Sequence, residues 1–343
     1  MRAYIVRRIL WMLPTMLAIT AASYGMMRLA PGDPVKASFL ASGTGQDGAG
    51  VRREGESNAA RAFRRRFHLD QPWYAGYWRW LAGDAGRNRG GVIRGDFGES
   101  IVISLGTPVW EVIRDKIPAT IKLNLWSFAV IYLIAIPFGL YSAVFRGTFA
   151  DRAASTVFFV LYSLPSFWIG ILLILLVSRH FPDWPISELS QQPRPDESYW
   201  SALWRSSQRY VLPVTCLSYG GFASLSRFTR ASALENIRQD YVRTARAKGL
   251  SGWAVMVRHV LRNSLIPLIT LSAGLLPGML GGSMIIEYLF NIPGMGTLML
   301  QALSSRDYPV LMTVMGLGTI LVLFGILLSD ILYAAVDPRI TFD

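Results

Sequence analysis

The sequence predicts an all-α integral membrane protein with six transmembrane helices. Three observations carry that reading. The 343 residues are 52% hydrophobic and only 16% charged, less charge than a soluble domain carries. Six charge-free apolar runs appear, Ile9–Met27, Leu123–Phe145, Ala153–Ser178, Tyr210–Ser226, Ser264–Ile286 and Tyr308–Ser329. Most of them meet or approach the roughly 20 residues that a helix needs to cross a hydrocarbon core of about 30 Å. Lastly, Lys and Arg are unevenly shared among the connecting segments, as the positive-inside rule requires of a multi-pass chain.

The first run follows Arg2, Arg7 and Arg8, so the N-terminus is expected in the cytoplasm. Its apolar stretch is longer than the usual 7–15 residues of a signal peptide, and it is expected to be retained as a helix, residues 1–28. Residues 29–117 then form a large outside, periplasmic loop region. It holds many basic and acidic residues, including Arg64-Arg65-Arg66, but long loops cross largely regardless of charge. Ala30-Pro31-Gly32-Asp33-Pro34 is a turn cluster that cannot continue a helix. Residues 41–60 read as a flexible insertion. Residues 61–82 regain amphipathic character through Phe63, Phe67, Leu69, Trp73, Tyr77, Trp78, Trp80 and Leu81. They suit either the membrane–water interface or an outer vestibule. Arg94-Gly95-Asp96-Phe97-Gly98-Glu99-Ser100 reads as a tight turn, and Pro108–Ile117 as a short helix leading into the second run.

Residues 118–343 form the core of five further helices. Arg146 and Arg152 flank Asp151 in the second–third loop. Pro137, Pro165 and Pro277 lie inside runs, as hinges or as packing kinks. Tyr162, Ser163, Ser166 and Trp168 around Pro165 either line a pathway or pack helices. The third–fourth loop balances Arg179, Arg194, Arg205 and Arg209 against four acidic residues. The fourth run is short and contains Pro213, Gly220 and Gly221. It is still read as a span, because non-helical backbone would go unsatisfied in lipid. Cys216 within it is read as a packing residue. Gly220, Gly221, Gly278, Gly281 and Gly282 allow close helix approach. Glu287 and Asn291 stand where the fifth run meets the outside, lining a substrate path or simply solvated. Asp330 and Asp337 are expected to pair with local Arg. The fifth–sixth loop holds only Arg306, beside Asp307. Basic excess thus falls in the even-numbered loops, and six spans leave both termini inside. The formal net charge of +12 needs no nucleic-acid partner, since basic residues here orient spans and meet anionic headgroups.

The segment between the fourth and fifth runs, residues 230–262, is neither loop-like nor apolar. Ser232–Lys248 has the composition of one helix, with Gly249 as its C-cap and Arg246 and Lys248 opposing the helix dipole. Trp253–Arg262 is a second amphipathic stretch. Helix, glycine turn and helix would lie along the cytoplasmic face. The pattern fits a helix resting on headgroups as well as a surface for a partner.

Tyr241-Val242-Arg243-Thr244-Ala245-Arg246-Ala247-Lys248-Gly249 resembles the coupling loop, or EAA motif, of ABC-importer permeases, in particular the dipeptide and oligopeptide branch. Arg243-Thr244-Ala245 stands in the place of Glu-Ala-Ala. Leu29-Ala30-Pro31-Gly32-Asp33-Pro34, Gly95-Asp96-Phe97-Gly98, Glu287-Tyr288-Leu289-Phe290-Asn291-Ile292-Pro293-Gly294-Met295-Gly296 and Ser305-Arg306-Asp307-Tyr308-Pro309 extend the likeness over nearly the whole chain. Among such permeases it looks like the Yej-type subunits, associated with oligopeptides and microcin C. The resemblance implies the type I importer fold. It implies half of a translocation pathway, shared with a second homologous permease subunit, and a periplasmic peptide-binding protein delivering peptide substrate. Asp240, Tyr241, Arg243, Thr244, Ala245, Arg246, Lys248, Gly249 and Leu250 would dock on a cytoplasmic ATPase subunit, and ATP and Mg would belong to that ATPase. The sequence has no Gly-x-x-x-x-Gly-Lys-Ser/Thr phosphate loop. His68, His180 and His259 lie far apart, without clustered Cys or carboxylates, so neither a metal site nor catalysis is expected of this chain. An ATP-independent channel or secondary carrier would call for intramembrane charges or inverted repeats, and neither is visible.

Overall fold

The computed structural model describes residues 2–29, 61, 64, 65, 70–84, 90–186, 198–264, 268 and 284–336. The expectations for residues 30–60, Phe63, Phe67 and Leu69, for most of the fifth run with Pro277, Gly278, Gly281 and Gly282, and for Asp337 lie outside these residues. The described chain is helical, with one isolated bridge between Glu99 and Pro108. Its contacts divide it into two compact units, residues 1–118 with 297–323 and residues 119–296 with 324–343.

In the first unit, α1 spans Arg2–Leu29 and α2 spans Trp73–Ala82. A 3₁₀ turn, Val92–Arg94, and the short α3, Val109–Arg114, follow. The amphipathic reading of α2 holds. Tyr77 and Leu81 are buried with Tyr24 and Met312, while Trp73, Tyr74 and Trp78 stay exposed. The Tyr77 hydroxyl donates to the Leu17 carbonyl at 3.1 Å and lies 2.9 Å from Thr20 Oγ1. Gly76 is needed here, since a Cβ would sit 2.4 Å from the Tyr24 hydroxyl. Asp307, fully buried, caps the start of α12, Tyr308–Val336. Its Oδ2 accepts from the Ser100 hydroxyl and from the amides of Ile101, Val102 and Ile103 at 3.2, 3.0 and 3.0 Å. Asp307, which in the sequence simply stands beside Arg306, organises the loop after Gly98.

In the second unit, α4 spans Ile117–Val144, α5 Phe149–Ser163, α6 Ser166–His180 and α7 Tyr199–Ile237. Helices α4 and α7 touch backbone to backbone. A Cβ on Gly139 would lie 2.7 Å from the Ser226 carbonyl, and one on Gly221 would lie 2.8 Å from Ile131 Cδ1. One core joins Leu123, Val177, Leu212 and Cys216 to Ile286, Phe290 and Ile292.

Among the described residues, three helical lengths, Tyr4–Leu29, Val109–Val144 and Tyr308–Leu328, are long and apolar enough to cross a membrane, and the pair α5–α6 is a fourth if counted as one span. The third run is therefore not a single kinked helix. It breaks at Pro165 into two 15-residue helices at 99°. Leu164 turns extended there, and its carbonyl accepts from the Tyr219 hydroxyl of α7 at 2.8 Å. That bond satisfies a carbonyl that the break leaves without a helical donor, while the Leu164 amide takes up the Leu161 carbonyl at 3.1 Å. Pro137 and Pro213, by contrast, lie within helices that continue past them. The fourth run, short as a sequence, lies inside the 39 residues of α7.

Candidate functional site

The segment after α7 departs from the single helix expected over Ser232–Lys248. Helix α7 ends at Ile237, Gln239 turns extended, and α8 runs Asp240–Ala247. A side-chain knot makes the break. Asn236 Nδ2 donates to Ser232 O at 2.9 Å and to Ser264 Oγ at 3.3 Å, and the Tyr241 hydroxyl donates to Asn236 Oδ1 at 2.6 Å. The amides of Val242 and Arg243 then take up the Gln239 carbonyl, and the new helix starts.

One face of α8 is anchored. Val242 is fully buried and Ala245 nearly so, in a core with Ala143, Ala233, Val255 and Val260. Burying a valine contributes about 1.5–3 kcal/mol. The other face is offered to solvent: Asp240, Tyr241, Arg243, Thr244, Arg246 and Lys248 are all exposed. The Thr244 hydroxyl turns back to the Asp240 carbonyl at 3.0 Å. Arg243 approaches Asp240 only to 3.8 Å, with side chains 81% and 97% exposed. Three cations thus face outward against one carboxylate.

The glycine turn closes as the sequence predicts. Gly249 has φ +78°. Its amide donates to Arg246 O at 2.9 Å and that of Leu250 to Ala245 O at 3.4 Å, the paired bonds of a Schellman cap. Ser251 then caps α9, Gly252–Val255, by accepting from the Ala254 amide at 3.3 Å. The chain continues as a π-helix over Met256–Leu261, a wider winding often found at functional sites and not legible in the residue pattern. Trp253 is 79% exposed beside the turn.

The four residues expected along a substrate path divide. Ser163 and Trp168 are exposed on either side of the α5–α6 break, and the Ser163 hydroxyl donates to Phe159 O at 2.9 Å. Asn291 is exposed at φ +52°, a left-handed conformation that asparagine tolerates better than most residues. Glu287, in α10, Met284–Leu289, is fully buried, so the expectation of a solvated boundary carboxylate fails. Its Oε1 accepts from the Thr120 hydroxyl at 2.9 Å and its Oε2 from the Gly296 amide at 2.7 Å. Thr120 Oγ1 in turn accepts from the Met295 amide at 2.7 Å. A Cβ on Gly294 would fall 2.5 Å from both Glu287 Oε2 and Thr120 Oγ1, which explains the glycine of Pro293-Gly294. Helix α11, Met295–Ser305, begins at this knot. The carboxylate holds the turn that presents Asn291.

Asp151, read as loop countercharge, is also buried and bonded. It accepts from Ser142 Oγ at 2.7 Å, the Gly147 amide at 2.9 Å and Arg230 Nη2 at 2.9 Å, and so ties α4, α5 and α7 together.

The chain is 36% identical to the oligopeptide transport system permease protein AppB of Bacillus subtilis (strain 168), over the full length of both. It is 32% identical to the inner membrane ABC transporter permease protein YejB of Escherichia coli O157:H7, again over all of both chains. It is 31% identical to the glutathione transport system permease protein GsiC of Escherichia coli (strain K12), over 99% of each. Residues 135–342, which include α8, its glycine turn and Glu287, match the family model of binding-protein-dependent transport system inner membrane components. The chain belongs to the family of binding-protein-dependent transport system inner membrane components.

Proposed function

We propose that this chain is one of two homologous permease subunits forming the pathway of an ATP-driven peptide importer in a bacterial inner membrane. The observation that carries the proposal is α8: a helix bolted to its own unit by Val242 and Ala245 while Arg243, Arg246 and Lys248 face outward. A basic helix resting on headgroups needs charge in no particular geometry. A helix held on one side and closed by a Schellman turn is suited to transmit a push. In this reading six spans leave both termini in the cytoplasm, and residues 29–117 face the periplasm. A cytoplasmic ATPase, holding ATP and Mg, grips the surface from Asp240 to Leu250. A peptide-binding protein delivers substrate on the outer side, where Ser163, Trp168 and Asn291 are offered to the path and Glu287 holds the Asn291 turn. ATP favours the closed ATPase dimer, and that differential affinity shifts the permease between its two states.

The test uses the whole transporter, purified in mild detergent with Lys248→Cys in this chain. A short thiol–amine cross-linker is expected to join position 248 to an ATPase subunit, with a yield that changes when ATP is bound. A working transporter in which position 248 cross-links only to lipid would overturn the proposal. A lone homo-oligomer that transports without an ATPase would favour a carrier instead.

A further inference from the structure

Where the second run ends, the third begins and the fourth ends, the second unit carries a half-open cavity of about 140 Å³. A single water needs only about 10–15 Å³, so the space suits a larger group. Its lining is Ser142, Ser155, Ser226, Arg227, Arg230 and two phenylalanines. Two guanidinium groups thus line the space, that of the exposed Arg227 among them, and no carboxylate does; the Ser142 and Ser226 hydroxyls donate to Asp151 Oδ1 at 2.7 Å and to the Ala223 carbonyl at 3.3 Å. Asp151 meets Arg230 from beside it, through Nη2 at 2.9 Å. That leaves the Nε of Arg230 buried and without a hydrogen-bond partner. A buried charged donor left unsatisfied is unfavourable. Arg227 has no carboxylate or other acceptor among the described residues; its guanidinium lies 5.7 Å from the centre of the Phe159 ring. Asp151 offsets one of the two charges, so the cavity keeps a positive excess next to an orphaned donor.

Such a lining fits a compact tetrahedral anion. Arginine forks match phosphate oxygens in pairs. The wall formed by Phe138 and Phe158, whose rings pack edge to face at 4.6 Å, gives the cavity an apolar side. Its place at the ends of three apolar runs is headgroup depth, on whichever side those ends face.

We propose that this cavity is a recognition site for an anionic phosphate group, carried on a phospholipid headgroup or taken up as free phosphate. The site is independent of peptide transport and of the docking role of α8, and its test measures binding alone. The full-length chain, with the subunits that accompany it, is held in maltoside detergent and phosphate-free buffer. Thermal melting is followed against phosphatidylglycerol, phosphatidylcholine and inorganic phosphate. The wild type is expected to gain stability saturably, with phosphatidylglycerol acting at about tenfold lower concentration than phosphatidylcholine. A response to phosphatidylglycerol that inorganic phosphate does not displace identifies the lipid as the source. Displacement, or a response to inorganic phosphate alone, identifies the free ion.

Arg227→Gln is expected to weaken the response about tenfold, and Arg227→Lys, which keeps charge but not the fork, about threefold. Arg152→Gln removes an exposed charge close by in sequence and is expected to change nothing. Three results would overturn the proposal: no difference between the two lipids together with no phosphate response, an unaltered response in both Arg227 variants, or equal losses in Arg152→Gln and Arg227→Gln.

Discussion

Helix α8 and the Glu287 turn both carry charge, and they use it in opposite ways. At α8 the cations point outward and the nearest carboxylate is a loose, exposed pair at 3.8 Å. At the Glu287 turn one carboxylate is withdrawn from solvent, and the Thr120 hydroxyl and the Gly296 amide are aimed at it. In the first region the fold rests on apolar contacts and the charge is left displayed. In the second the charge is itself the fastening. Charge at the edge of a membrane protein therefore says little about role until its donors and acceptors are counted.

The sharpest way to break this contrast is Glu287→Ala. It leaves the Gly296 amide and the Thr120 hydroxyl buried without their acceptor, and it empties the space that Gly294 was shaped to provide. With two buried donors left unsatisfied at about 1–3 kcal/mol each, the expected loss is roughly 2–6 kcal/mol. Glu287→Gln keeps the shape and one good acceptor, and should lose about 1–3 kcal/mol. Denaturation of the purified transporter, followed by melting or by denaturant titration, measures both. Were Glu287→Ala as stable as the wild type, the fastening role would be gone and the case for a path-lining carboxylate would return.

These regions were not equally legible. The exposed face of α8 and its glycine turn follow from local pattern: small and apolar residues at Val242 and Ala245, cations between them, then glycine. The break before α8 does not, because every residue of Ser232–Lys248 accepts a helix. It depends on Asn236 reaching Ser264, 28 residues on, and such contacts are invisible to local propensity. Pro165 could be read as a kink. The 99° bend needed Tyr219, 55 residues away, to accommodate the Leu164 carbonyl. Glu287 stood out as a charge beside an apolar run, but its partner Thr120 lies 167 residues away. Sequence thus finds the displayed charge readily and misplaces the buried one, since burial is settled by chain segments far apart.

Gly249 sharpens the comparison from inside the docking region. Its φ of +78° disfavours any side chain, yet a Cβ there would meet nothing within 4 Å. Gly249→Ala should therefore cost about 1–2 kcal/mol from backbone conformation alone, and Gly249→Trp little more. Stability then cannot tell the two variants apart. Association with the ATPase should, because only the indole intrudes on a docked surface. Equal association of both variants would move the contact away from the turn.

The smallest effect on the fold belongs to Arg243→Gln, and it is the most diagnostic. The Arg243–Asp240 pair is exposed and long, so its loss should change stability by less than about 0.5 kcal/mol. An arginine at the centre of an interface is another matter, since truncating such a residue commonly costs about 2 kcal/mol or more of binding. The expected outcome is an unchanged melting curve with ATPase association weakened roughly 30-fold, and uptake reduced with it. A variant that melted early would show Arg243 working inside the fold, on the side of Glu287. One that melted normally and still gripped its ATPase would show that the outward charge of α8 serves the headgroups after all, with the docking contact borne by uncharged neighbours such as Tyr241 and Thr244.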